Sequence, residues 1–156
     1  MSSSQQTRKG NSTLVRVAEL SDISACKSIA DSHRDALGFV VTAVFADAIR
    51  RNQLLVAERE GEVIGFLRYN HRLRGHETVL YDIGVAHSAQ RQGVGRLLVE
   101  RLCESSRSYG RLAVVLRCPK NLPANTFYAR LGFQRIRVEP GRRRPLVLWH
   151  LPLLEA

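Results

Sequence analysis

The sequence predicts an α/β chain built on a mixed, mostly antiparallel sheet of about seven strands, flanked by four helices. Three observations lead there. Short runs of Val, Leu, Ile and aromatic residues, alternating or continuous, recur along the chain as strands require. Between them, longer stretches repeat their apolar residues at three and four positions, the spacing of one helix face. From Thr78 to Glu100, TVLYDIGVAHSAQRQGVGRLLVE, a strand, a glycine-bearing turn and a helix follow one another directly. The predicted order is β-α-α-β-β-β-α-β-α-β-β, with helices on both faces of the sheet. A length of 156 residues with 44% hydrophobic content is that of one domain with a real core, expected over residues 13–152.

In chain order, residues 1–12 are rich in Ser, Gln and basic side chains and read as a disordered lead-in without the apolar centre of a secretory signal. Leu14-Val15-Arg16-Val17 alternates and predicts the first strand. Ser21 is the expected N-cap of a helix carrying Ile23, Cys26, Ile29 and Ala30 on one face, which ends near Leu37-Gly38. Thr42 is the expected cap of a second helix through Val44, Phe45, Ala48 and Ile49 to about Arg51. Leu54–Arg59 and Val63–Tyr69 form a hairpin around Glu60-Gly61-Glu62. His71–Glu77 is a polar loop into the central strand, Val79–Val85. The following helix sets Val94, Leu97, Leu98 and Leu102 on one face and runs to about Ser108, with the break at Gly110. Leu112–Cys118 is nearly continuous in apolar residues, as for a strand buried on both faces. A short helix follows over Asn121–Leu131, with Pro123 in its first turn and Gly132 at its end. Phe133–Val138 and Leu146–Leu151 are the last strands.

No apolar run approaches the ~20 residues that cross a bilayer, so no membrane association is expected, and a cytoplasmic location is. Cys26, Cys103 and Cys118 are odd in number and lack metal spacing, as reduced structural thiols do; Cys118 has a second reading as a nucleophile. The five histidines, His33, His71, His76, His87 and His150, show no ligand spacing, and no metal is expected. The formal charge is +10 and uneven: Arg107–Ala156 holds ten basic residues against two acidic, and the chain before it fourteen against twelve. One reading is solubility with attraction for a polyanionic cofactor; the other is a nucleic-acid or acidic-protein partner.

The chemistry gathers at Gln90-Arg91-Gln92-Gly93-Val94-Gly95, which follows a strand and opens a helix. Unpaired amides and the positive end of the helix dipole there suit a phosphate. A P-loop would need Gly-Lys-Ser/Thr where Arg96-Leu97 stands, and the third glycine of a dinucleotide fingerprint is replaced by Leu98. The pattern Q-x-x-G-x-G resembles the pyrophosphate loop of the GNAT superfamily of N-acetyltransferases, which use acetyl-CoA. A second segment, Asn121-Leu122-Pro123-Ala124-Asn125-Thr126-Phe127-Tyr128-Ala129-Arg130-Leu131-Gly132-Phe133, is similar to that family's N-x-x-A-x-x-F-Y-x-x-L-G-F. The likeness spans about residues 14–151 and implies a GNAT-like sheet.

The resemblance further implies that the main chain of Ile83 and Val85 pairs with the pantetheine arm of acetyl-CoA. Main-chain amides over Gln90, Arg91, Gln92, Gly93, Val94, Gly95 and Arg96 then hold the pyrophosphate, where a side chain on either glycine would keep phosphate off the backbone. Asn121 bonds the cofactor arm, and Tyr128 protonates the departing thiolate, with Phe127 the better candidate for a core aromatic. Gly84 is a candidate bulge that splays the central strand. An amine attacks the thioester directly in a ternary complex and must first lose a proton. Asp82 and Glu77 are the candidate bases, with His76, His33 and water as alternatives. His33, Arg34 and Phe39, with His76, are candidate acceptor contacts, although His33-Arg34-Asp35 also reads as a helix end tied by local ion pairs. The Arg142-Arg143-Arg144 turn reads as a solvated tip or an anion attractant.

The expected function is acetyl transfer from acetyl-CoA to a primary amine of a small molecule or protein. The alternatives are an acyltransferase for an amine borne on nucleic acid, and a non-catalytic acyl-CoA-binding module. The expected partners are acetyl-CoA and an amine acceptor, for a monomer or homodimer.

Overall fold

The computed structural model describes residues 12–72 and 74–154, so the expected lead-in lies, apart from Ser12, outside the described residues. Its elements are β1 (Leu14–Val17), α1 (Ile23–Asp31), α2 (Arg34–Leu37), α3 (Thr42–Arg50), β2 (Leu54–Arg59), β3 (Glu62–His71), β4 (Glu77–Val85), α4 (Val94–Ser108), β5 (Ala113–Pro119), α5 (Ala124–Arg130), β6 (Gln134–Glu139) and β7 (Leu146–Pro152). The strand order is β1-β2-β3-β4-β5-β7-β6. Pairing is antiparallel for β1–β2, β2–β3, β5–β7 and β6–β7, and parallel for β4–β5. This is the expected mixed, mostly antiparallel sheet. Its parallel step follows from chain order, because a helix intervenes between β4 and β5.

Two compact units are distinguished. The first contains the described residues up to Arg68 together with Asp82–Arg101. Its core sets Phe45 of α3 edge-on to Phe66 of β3, 5.2 Å between centroids, among Cys26, Ile29, Ala30, Leu54 and Val56. Burying an aromatic side chain of this kind contributes roughly 1.5–3 kcal/mol. The β2–β3 turn places Glu60 and Gly61 at φ 53° and 79°, the two positive values that a tight hairpin needs.

Gly84 of β4 faces the same core. A Cβ there would stand 2.8 Å from the ring of Phe66 and 3.2 Å from Ile29. Close packing therefore requires a glycine at this position.

Three helix expectations are corrected. The helix expected to run to Leu37 breaks after Asp31, and α2 is a separate single turn closed by Gly38 at φ 69°. Ser21 is not an N-cap: it lies inside a 3-10 turn, where Asp22 accepts the Glu19 N–H at 2.7 Å and the Arg16 guanidinium at 2.8 and 3.0 Å. A carboxylate satisfies both donors with charge-assisted bonds, which a serine hydroxyl cannot do. Thr42 is the first helical residue of α3 and extended Val41 precedes it as cap, without a side-chain bond.

The second unit contains Tyr69–Tyr81 and the described residues from Leu102 onward. Its centre is β5, buried from Ala113 to Leu116, between the start of β4 and β7. The registers Glu77↔Ala113, Val79↔Val115, Val115↔His150 and Arg117↔Leu148 put Glu77, Val115, Arg117, Leu148 and His150 on one face. Thr78, Val114, Leu116 and Trp149 take the other. Strand β6 is exposed from Gln134 to Val138 and shifts register between Arg135 and Arg137.

On the buried face, Ser106 donates to the Thr78 hydroxyl at 2.8 Å, and His71 lies 2.7 Å from that hydroxyl through Nδ1 and 3.1 Å from Ser105 through Nε2. The His71 ring also stacks on Tyr109 at 4.4 Å.

Along α4 the buried side chains are Val94, Leu98, Val99, Leu102, Cys103 and Ser106. Leu97, expected on that face, is 38% exposed. The buried stripe recurs at three to four positions after Leu98, and Leu97 falls one residue outside it.

Candidate active site

The glycine loop is assembled wholly within the first unit. After β4, a 3-10 turn over His87–Ala89 carries the chain out of the strand. Arg91 and Gly93 then adopt φ 63° and 80°, and α4 begins at Val94. Its first intrahelical bond runs from the Leu97 N–H to the Gly93 carbonyl at 3.1 Å. The amides of Val94, Gly95 and Arg96 precede that bond and have no carbonyl four residues back within the helix. A Cβ on Gly93 would meet nothing within 4 Å, so the glycine serves its left-handed backbone and not a crowded neighbour. Gln90, Arg91, Gln92 and Arg96 are exposed around this turn.

The side chain of Gln92 is tied down rather than offered to solvent. Its amide donates to the Ser88 carbonyl at 3.2 Å, and its carbonyl oxygen accepts from Arg59 Nη1. Arg59, at the end of β2, also donates to the Thr13 hydroxyl from Nε at 3.2 Å and from Nη2 at 3.0 Å. Sequence reasoning missed Arg59, because nothing in a local pattern links residues 33 positions apart.

Ile83 and Val85 are half-buried beside the loop. The Val85 carbonyl, expected to meet the pantetheine arm, already accepts from His33 Nε2 at 2.6 Å. One lone pair of that oxygen is left for a ligand. His87 donates from Nε2 to the Ser32 carbonyl at 3.0 Å, and its ring lies 4.4 Å from that of His33. Carbonyls only accept, so Nε2 bears a proton in both histidines. The pair fastens the α1–α2 corner to the end of β4.

Around that corner Arg34 and Phe39 make local contacts. Lys27 pairs with Asp31 at 2.7 Å and sits 4.1 Å from the exposed Phe39 ring; Arg34 lies 3.9 Å from Asp31 and 5.2 Å from the same ring. Asp82 is held by Arg68, whose Nε and Nη2 both reach Oδ2 at 2.7 Å. An acceptor role through Asp82 is therefore left to Oδ1.

The second unit holds the remaining candidates. Asn121 is exposed, and its Oδ1 accepts from Arg144 at 3.3 Å. Asn125, which sequence reasoning left unassigned, is the hub of this segment. It donates to the carbonyls of Pro119 and Leu122, both at 2.9 Å, and accepts from Trp149 Nε1 at 2.8 Å. Tyr128 is buried, edge-on to Phe127 at 5.3 Å and Phe133 at 5.6 Å. Phe127, expected to be the better core aromatic, is only half-buried. Tyr128 lies on the inward face of α5, which Phe127 only borders.

Cys118 has no nucleophile's setting: burial pushes its thiol up to about 11, and it lies 3.6 Å from the Pro119 carbonyl. His76 is exposed, its carbonyl accepting the Leu112 N–H at 2.7 Å. Glu77 is half-buried in a concavity of about 440 Å³ with Arg72, Arg117, Ile136, Arg137 and His150 on its walls. Among the described residues no three His, Cys, Asp or Glu side chains are close enough to hold a metal, and no helix is long and apolar enough to cross a membrane.

The loop thus offers three amides and a helix N-terminus to an anion, beside a strand end with hydrogen-bonding capacity for an extended arm. The chain is similar to known proteins. It is 41% identical over 86 residues to the 5-NmdU N-acetyltransferase of Pseudomonas phage PaMx11, covering 55% of this chain and 60% of that protein. It is 38% identical over 96 residues to the mycothiol acetyltransferase of Thermomonospora curvata, covering 59% of this chain and 31% of that protein. In fold it is similar to yncA of Salmonella typhimurium, solved with its cofactor acetyl-CoA, at TM-score 0.75 and 23% identity over 93% of this chain and 96% of that one. The match thus spans less than two thirds of each of these two relatives. The family model of the acetyltransferase (GNAT) family matches residues 24–133, and the chain belongs to that family.

Proposed function

We propose that the protein transfers an acetyl group from acetyl-CoA to a primary amine by direct attack in a ternary complex, with residues 13–152 acting as one acyltransferase domain. The observation that carries the reading is the loop: Arg91 and Gly93 are left-handed and α4 begins directly after them, so the amides of Val94, Gly95 and Arg96 stand at a helix N-terminus without an intrahelical partner. Family membership, the two acetyltransferase relatives and the acetyl-CoA in yncA support it.

In this reading the loop amides hold the pyrophosphate, and the main chain of Ile83 and Val85 lines the arm. Asn121 contacts that arm once Arg144 releases it. Tyr128 supplies the proton to the leaving thiolate: nitrogen attacks the thioester carbon, the C–S bond breaks, and the phenol's proton passes to sulfur. The amine proton leaves through Glu77, through Asp82 Oδ1 or through water. Main-chain amides of β4 meet the oxyanion.

Calorimetry with acetyl-CoA, followed by thiol release over a panel of amines, tests it. Gly93→Ala forces a Cβ into a conformation that costs L-residues about 1–2 kcal/mol, and is expected to weaken acetyl-CoA binding by at least about tenfold. Tyr128→Phe keeps the aromatic packing and is expected to lower kcat with little change in acetyl-CoA affinity. Absence of acetyl-CoA binding by the unaltered chain removes the proposal, and full kcat in Tyr128→Phe removes the acid role.

A further inference from the structure

The net charge divides along the two units. Among the described residues the first unit, which carries the glycine loop, holds ten Lys and Arg side chains against ten Asp and Glu. The second holds twelve against three, the acids being Glu77, Glu104 and Glu139. Attraction of a polyanionic cofactor would place the surplus around the loop that is to hold its phosphates, and that unit is balanced. The surplus belongs to whatever the second unit meets.

Glu139 is shared by Arg117 at 2.7 Å and Arg137 at 3.1 Å, so one carboxylate serves two guanidinium groups. Arg72, Arg142 and Arg143 of the same unit are exposed as well. The concavity on this face has an apolar floor, Val115 and Leu148, and an Ile136 side chain that is 46% exposed. The Glu77 side chain stands in it among arginines, without a side-chain hydrogen bond or ion pair to another described residue. A volume of about 440 Å³ is that of a site for one small organic unit.

We infer that the second unit binds a nucleic-acid strand, its arginines tracking the phosphates while one amine-bearing nucleotide enters the concavity and presents its ammonium to Glu77. This deepens the acetyltransferase reading and rests on it for the chemistry, though not for the binding. The recognition is the one expected of phosphodiester: guanidinium groups for the backbone, an apolar floor with His150 for the base, and one negative group for the only positive part of the ligand.

The probes are a single-stranded DNA oligonucleotide with one aminoalkyl-substituted pyrimidine, its RNA counterpart, the free aminoalkyl nucleoside, and a lysine-containing poly-glutamate peptide. Binding is read by fluorescence anisotropy without acetyl-CoA, and acetyl transfer by thiol release with it. The oligonucleotide is expected to bind at least about tenfold more tightly than the nucleoside, with log K falling linearly in log salt by about 0.7 per phosphate met. The DNA and RNA arms tell the two strands apart. Arg117→Gln and Arg137→Gln, on exposed side chains, each reduce that salt slope and leave acetyl-CoA binding unchanged. Glu77→Gln lowers kcat/KM for the amine-bearing strand and leaves binding of an unmodified strand intact.

Equal affinity for oligonucleotide and nucleoside, an absent salt slope, or preference for the acidic peptide overturns the inference while leaving the acetyltransferase reading in place. Oligonucleotide binding in a chain that binds no acetyl-CoA removes that reading and keeps the nucleic-acid surface.

Discussion

Arg59 shows what a single side chain does to a loop whose backbone is already constrained. Gln92 sits between two left-handed residues, so its own position decides whether the following amides keep their direction. Arg59 fixes it by linking Gln92 to Thr13 at the first strand. Replacing Arg59 with Ala leaves the Gln92 carbonyl oxygen to water, at a cost of about 1 kcal/mol. The expected result is a several-fold rise in the acetyl-CoA Kd by calorimetry, with kcat at saturating acetyl-CoA near its original value. A fall in kcat with unchanged affinity would place Arg59 in the chemistry instead of the loop. The glycines themselves were legible in the sequence, since their spacing is local. Arg59 was not, because its role comes from the hairpin that carries β2 past the loop. Asn125 is the same case: its motif position was visible, but its bond to Trp149 depends on β7 returning beside β5.

At the scale of elements, strands were read closely and helix ends were not. β1 and β2 begin and end where their apolar runs do, because pattern and pairing coincide there. The helix starts moved because capping depends on partners: Asp22 won over Ser21 through Arg16, which lies on another element. The same limit hid the polar contacts behind β4. His71 closes β3 and meets Thr78 of β4 and Ser105 of α4. Burial, with the positive charge of Arg111 as the lesser cause, holds His71 below its ordinary titration range. The neutral ring is therefore the native form. Its contribution to stability is complete above about pH 6.5, the unfolded value, and is lost as pH falls toward the lower folded one. Urea midpoints measured from about pH 7 down to about pH 5 should decline. His71→Gln should be less stable at neutral pH and lose less on acidification. An unchanged slope in that variant would move the acid sensitivity to other groups.

For the whole molecule, the sequence located the basic surplus in the last third, but only the division into units showed that the described residues of the loop-bearing part are balanced. A net +10 concentrated in this way opposes its own folding. Among the described residues the second unit holds twelve cations and three acids, and one of these acids, Glu139, already serves two arginines. Repulsion within this surplus is therefore expected to outweigh the attraction that salt also weakens. Raising ionic strength from about 0.01 to about 0.15 M shortens the Debye length from about 30 to about 8 Å, which screens separated exposed charges more than contacting pairs. The thermal midpoint of the full chain is thus expected to rise over that interval. Sulfate should raise it further than chloride at equal ionic strength, because a divalent oxyanion can sit between guanidinium groups. A midpoint that falls with salt would mean that the ion pairs outweigh the surplus. The second unit would then carry its charge without strain, and relief of repulsion could add nothing to the binding of a phosphate chain.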